Sequence, residues 1–146
     1  MDNRDEKYMR LALDEARRAF DEGEVPIGAV VVGGDRLLGR GHNLVETLCD
    51  ATAHAEMQAI TAATSTLGGK YLSDCTLYVT VEPCAMCAGA IAWSQVGEVV
   101  FGASDPKKGF RRYSRDILPP KIKLREGVLK GECEAIMNNF FSKLRN

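Results

Sequence analysis

The chain has 146 residues, 45% apolar and 27% charged, with a formal net charge of −1. That composition suits one globular domain over residues 1–146 with a real core and excludes a fibrous or disordered chain. No apolar run approaches the roughly 18 residues of a membrane span, and four of the first six residues are charged where a signal peptide would lead into an apolar run, so a cytoplasmic protein away from membranes is expected.

Residues 4 to 22 carry Met9, Leu13, Ala16 and Phe20 at three- and four-residue spacing, which predicts an amphipathic helix stopped by Gly23. Ile27 to Val32 is a β-branched run, Gly33 to Arg36 a hairpin turn, and Leu37 to His42 the returning strand. A second helix is expected from His54 to about Thr66, with Met57, Ile60, Ala63 and Leu67 on one face and Gly68-Gly69 as its stop. Thr76 to Val81 is apolar enough for a central strand. Pro83 suits the first turn of a helix running through Ala88, Ile91 and Trp93. Val96 to Phe101 is the next strand, and strand, helix, strand in that order predicts a parallel pair. Pro119-Pro120 bars a helix, Ile122 to Arg125 reads as an edge strand, and Cys133, Ile136, Met137, Phe140, Phe141 and Leu144 mark a last helix. The sum is an α/β domain, a mixed sheet between helices.

Charge is unevenly placed along this chain. Residues 1–100 hold 8 Lys/Arg against 15 Asp/Glu, a balance of −7, and residues 101–146 hold 11 against 5, a balance of +6. The C-terminal third could meet an anionic partner, or could simply be a solvated surface. Within it, Lys107 to Arg115 carries five basic residues with Phe110 and Tyr113. That mixture suits single-stranded RNA, with charges on phosphates and rings for stacking, and equally suits a solvated loop.

The chemistry concentrates in His54-Ala55-Glu56 and in Glu82-Pro83-Cys84-Ala85-Met86-Cys87. One histidine and two thiolates are three ligands for a catalytic zinc whose fourth corner takes water. The two cysteines are three apart at a helix start, so both thiols can face one point, and the positive end of that helix favours thiolate. Glu56 is the candidate proton carrier, reaching back from the first turn of its helix. A Cys-x-x-Cys also fits a redox pair, and a structural zinc would take a fourth ligand from Cys49, Cys75, Cys133 or His42. With no export signal the cysteines are not expected to form disulfides, and those outside the motif read as small buried hydrophobes. His42 reads as a satisfied strand histidine, and Trp93 and Phe140-Phe141 as core.

His54-x-Glu56 with Pro83-Cys84-x-x-Cys87 resembles the signature of the zinc nucleobase deaminases. Within that family the chain is similar to the bacterial tRNA-specific adenosine deaminases, through Val25 to Val30, Gly41-His42-Asn43, Thr52 to Glu56, Leu77 to Cys84, Phe101 to Asp105 and Gly127 to Phe141. The resemblance implies a cytidine-deaminase-like three-layer sandwich with a mixed five-stranded sheet. It also implies one Zn2+ per subunit on His54, Cys84 and Cys87, Glu56 as the catalytic acid–base group, and conversion of adenosine to inosine in a tRNA anticodon loop with release of ammonia. Asn43, Pro26, Ile27, Asp105 and Lys107 fall at positions that contact substrate in the family, and a homodimer that binds RNA rather than DNA is expected. A deaminase of a free base or nucleoside and a non-catalytic zinc-stabilised RNA-binding module are the alternatives. The segment after Gly109 departs from the family's pattern, being shorter and Arg-rich, and Asp50-Ala51-Thr52 has no proline between Asp and Thr.

Overall fold

In the computed structural model, which describes residues 3–144, the elements run α1 (Asn3–Asp21), β1 (Gly28–Gly33), β2 (Arg36–His42), α2 (Val45–Leu48), α3 (Ala55–Leu67), β3 (Cys75–Val81), α4 (Ala85–Trp93), β4 (Glu98–Ala103), β5 (Lys123–Glu126) and α5 (Lys130–Leu144). One sheet holds the strands in the order β2-β1-β3-β4-β5. The hairpin β1–β2 and the pair β1–β3 are antiparallel, while β3–β4 and β4–β5 are parallel. The mixed sheet, the parallel pair around α4 and the edge position of β5 are as the sequence predicts. The four-residue α2 has no apolar period to announce it, and Pro83 sits just ahead of α4 rather than in its first turn.

The alternation of strand side chains builds the three layers. On β1, Ala29 and Val31 face the α3–α4 side while Val30 and Val32 face α1, as a period of two requires. Leu77 and Val79 of β3 join the first cluster and Tyr78 the second, so β3 is buried along its whole length. Each such Val or Leu contributes about 1.5–3 kcal/mol by leaving water. Helix–sheet contact is close because the strands lack side chains where helices lie. A Cβ on Gly39 would stand 2.6 Å from the Ala59 carbonyl, and one on Gly41 2.6 Å from the Ala55 carbonyl. Gly41 seats the start of α3 and Gly39 its middle directly on β2, and the start of α3 carries the chemistry.

Three expectations about burial fail. Trp93 is 85% exposed, because Cys87, Ala88 and Ile91 take the inner side of α4 and leave Met86 and Trp93 outside. Cys49 is exposed, whereas Cys75 and Cys133 are buried as expected. Phe141, read as core beside Phe140, is exposed at the cavity rim instead, and of the apolar stripe on α5 only Cys133 and Phe140 are buried.

A polar network ties the N-terminal helix to the far edge of the sheet. The Asp5 carboxylate accepts the Tyr78 hydroxyl at 2.8 Å and Arg125 Nε and Nη2 at 3.0 Å each, and Arg125 also reaches Glu98. Burial pushes Asp5 up, but the bonds from Arg125 and Tyr78 outweigh it and hold the carboxyl below its ordinary 3.8. The folded pKa therefore lies below the unfolded one. This contribution is fully present above the ordinary Asp range and is lost as pH falls through the lowered value. Asp5→Asn is expected to cost about 2 kcal/mol at neutral pH, and to flatten the fall of Tm on acidification. Melting curves from pH 7 down to about 2 for both proteins check it.

Candidate active site

Both motif segments sit at helix starts, and this is what brings them together. His54 is the N-cap of α3 and Cys84 the N-cap of α4, each in extended conformation, and Cys87 lies in the first turn of α4. The approach to His54 is set by a turn in which Asp50 Oδ1 accepts the Thr52 N–H at 2.8 Å and the Thr52 hydroxyl at 2.7 Å. That turn needs no proline, which accounts for the departure at Ala51. His54 Nδ1 stands 3.6 Å from Cys84 Sγ and 3.5 Å from Cys87 Sγ. The three donor atoms lie within 4.8 Å of one another, and no other such set of three His, Cys, Asp or Glu donors forms among the described residues. Cys49, Cys75, Cys133 and His42 stay outside it. His42, at the end of β2, has its ring nitrogens 3.1 Å from Glu15 and 3.0 Å from Glu22, the satisfied strand histidine expected.

The electrostatics fit a cation. A hydrogen bond from Cys87, helped by one from His54, holds the Cys84 thiol down to about 4 against its burial. The bond to that thiolate, with burial, pushes Cys87 up, so the two sulfurs share one proton. The Cys84 partner raises His54 above 6.5. A dication displaces such shared protons, and one imidazole with two thiolates is a zinc donor set by softness and number. Glu56 is almost fully buried in the first turn of α3, and burial pushes its carboxyl up to about 7. A carboxyl in that range both takes and gives protons at neutral pH.

His54, Glu56 and Cys84 open into a cavity of about 1190 Å³. Asn43, Ile27, Asp105 and Lys107 all line it, as does Phe141 of α5. Pro26 is buried and is not part of the wall. The Asn43 side chain is buried and, among the described residues, its amide has no hydrogen-bond partner, which leaves it free for a ligand. Asp105 is committed to its own loop: its carboxylate accepts the N–H groups of Lys107 and Lys108 and its carbonyl that of Gly109.

The basic stretch divides between fold and surface. Phe110 is core rather than a stacking ring, and its N–H donates to the Pro83 carbonyl. Arg111 donates to Glu82 and Glu126 and lies over the Phe101 ring, so it serves the fold. Lys107, Lys108, Arg112, Tyr113 and Arg115 remain exposed. The sequence places Glu82 in the motif segment without giving it a role; its buried carboxylate collects the N–H groups of Asp105 and Arg111 and the Arg111 guanidinium, and so pins the loop beside Cys84. Burial raises its pKa and these bonds lower it further, leaving it below 4.5. Gly109 closes on that carboxylate so tightly that a Cβ there would fall on the Glu82 carboxyl group and 2.5 Å from the Asp105 carbonyl. Its φ of −65° suits any residue, so space alone excludes a side chain. Gly109→Ala is expected to cost about 1–3 kcal/mol, read as a lower Tm, with a weaker hold on substrate as the loop shifts.

A His/Cys/Cys donor set beside a buried carboxyl, at two helix starts over a mixed five-stranded sheet, marks the class of hydrolytic deaminases. The chain belongs to the MafB19-like deaminase family, whose model matches residues 3–145. It is 46% identical to the tRNA-specific adenosine deaminase of Bacillus subtilis, over 97% of this chain and 91% of that one. Among solved structures it is similar to one from work on A-to-I editing by tRNA:A34 deaminases at the wobble position. There the identity is 40% and the TM-score 0.83, over 89% of this chain and 98% of the other. A guanine deaminase from Nitrosomonas europaea shares the fold, with a TM-score of 0.84 at 24% identity over 94% and 84% of the two chains.

Proposed function

We propose that this protein is a zinc-dependent deaminase, one domain spanning residues 1–146, that converts adenosine to inosine at the wobble position of tRNA and releases ammonia. The observation that carries the reading is the gathering of His54, Cys84 and Cys87 within 4.8 Å beside a buried Glu56 in one cavity. His54, Cys84 and Cys87 would hold the metal; when bound, zinc brings the pKa of water from 15.7 down to about 7. Glu56 accepts a proton from the attacking water and delivers it to the purine ring nitrogen, then takes the proton of the new C6 hydroxyl and passes it to the departing amino group as the C6–N bond breaks and the C6 carbonyl forms. Asn43 offers its amide to the base edge and Ile27 gives the base an apolar face.

The cavity favours an RNA substrate over a free base. At about 1190 Å³ it exceeds the 300–1,000 Å³ usual for a small-ligand pocket, and exposed Lys107 and Lys108 stand at its wall for the phosphates beside the extruded nucleotide. An anticodon loop presents its target already unpaired, which makes extrusion cheap. The non-catalytic module loses ground because no fourth protein donor joins the three among the described residues. Incubation with total tRNA, an anticodon stem-loop and free bases, followed by measurement of inosine, guanine loss and ammonia, tests the reading. Inosine only from RNA supports it; xanthine from guanine with unchanged tRNA overturns it.

The exposed Met86 and Trp93, seven residues apart on α4, give a second copy of the chain an apolar helix face to cover, which supports a homodimer. Light scattering that finds a monomer at working concentration rejects it. Among the described residues no helix is long and apolar enough to cross a membrane, which fits a cytoplasmic enzyme.

A further inference from the structure

Part of the cavity wall is made by two pieces of chain distant in sequence, one through Gly23, Val25 and Ile27, the other through Asn43, Val45 and Glu46. A carboxylate joins them. Glu24 is 0% exposed. It accepts the backbone N–H of Glu46 at 3.0 Å, that of Thr47 at 2.6 Å and the Thr47 hydroxyl at 2.7 Å. No Lys or Arg pairs with it among the described residues, so these three donors are what makes its burial tolerable. A second joint lies alongside, where His42 bridges Glu15 and Glu22 at 3.1 and 3.0 Å. Between the two joints the Asn43 N–H donates to the Ile27 carbonyl at 3.2 Å.

The geometry has a direct consequence for the base. Ile27 follows Glu24 by three residues, and Asn43 precedes Glu46 and Thr47 by three and four. A shift of either segment moves the amide that would read the base against the apolar face that would hold it. We propose that Glu24, through Thr47 and the start of α2, is the positioning residue that fixes Asn43 against Ile27 and so sets how tightly the cavity holds its purine. This rests on Asn43 and Ile27 being base contacts, as in the function proposed above. The three metal-site residues and Glu56 lie at the starts of α3 and α4, outside this joint.

The test compares Thr47→Val and Glu24→Gln with wild type in the full-length, zinc-loaded protein. Thr47→Val removes one donor at an exposed position. Glu24→Gln keeps the shape but turns an NH2 group toward N–H and O–H donors. With an anticodon stem-loop as substrate, KM is expected to rise about tenfold in the first and about 100-fold in the second. The kcat and the zinc content stay near wild type. A role confined to stability would lower Tm and the active fraction, hence kcat, and leave KM unchanged. KM within about twofold of wild type in Thr47→Val overturns the proposal, and that variant decides alone if Glu24→Gln does not fold. Should wild type leave the stem-loop untouched, the function proposed above falls, and the same KM comparison is made on whichever purine the wild type does deaminate.

Discussion

Replacing Glu56 with glutamine is expected to lower turnover of an adenosine-containing stem-loop by about 10²–10⁴-fold, with the metal content of wild type. Glutamine keeps the volume of the buried side chain and removes only its capacity to take and give a proton. Glu56 is not among the three clustered donors, so the metal is expected to stay. The pH profile carries a second signature. Burial pushes the carboxyl up to about 7, and a dication on the neighbouring ligands pulls it down again by favouring the carboxylate. The first proton transfer needs the ionised form, so wild-type kcat/KM falls as pH drops through the value so lowered. In Glu56→Gln this acid limb is expected to vanish from the residual rate. Near-normal turnover with a full complement of metal would remove Glu56 from the proton transfers; a surviving acid limb would assign it to another group.

What could be read in the sequence was what depends on spacing along a single element. His54 and Cys84 announce themselves because each opens a helix, and a helix start fixes both the direction of the side chain and the sign of the local field. The central strand was legible because a strand buried on both faces is mostly apolar, as Cys75 to Val81 is apart from Thr76 and Thr80. What stayed hidden depends on the partner rather than on the residue. Glu24 and Glu82 look like any surface glutamates until the loops that feed them N–H groups are in place. Gly39 and Gly41 look like weak points in a strand, and become necessary only when α3 lies across them. The basic run around Phe110 suits an RNA surface or a solvated loop, and one aromatic in a charged run does not say which way it turns; Phe110 is buried, with its N–H on the Pro83 carbonyl. Trp93 was assigned to the core by its chemistry, and helix phase puts it outside.

Stripping the metal with a chelator is expected to abolish turnover while leaving the protein folded, and zinc alone should restore the rate. The size of the first effect follows from water itself. Without the drop in its pKa from 15.7 towards 7, roughly eight powers of ten in hydroxide are lost at neutral pH, more than any other single change here removes. The second effect follows from how the ligands are held. His54 is seated by the Asp50–Thr52 turn and by the contact of α3 with Gly39 and Gly41. Cys84 is held by its place at the head of α4 and by its bridge to Gly109, the loop that Glu82 and Arg111 pin. None of these supports passes through the metal. A structural zinc behaves oppositely, since there the binding energy is the folding energy and chelation unfolds the chain. The measurement is far-UV circular dichroism and a melting curve on the chelated protein, beside its deaminase rate before and after zinc is returned. A chelated protein that melts without cooperativity would make the site a staple of the fold. One that stays folded and keeps its activity would end the metal-dependent account. Cys87→Ala is expected to reproduce the stripped state in a form that added zinc does not rescue, because a buried donor is then missing from a set of three.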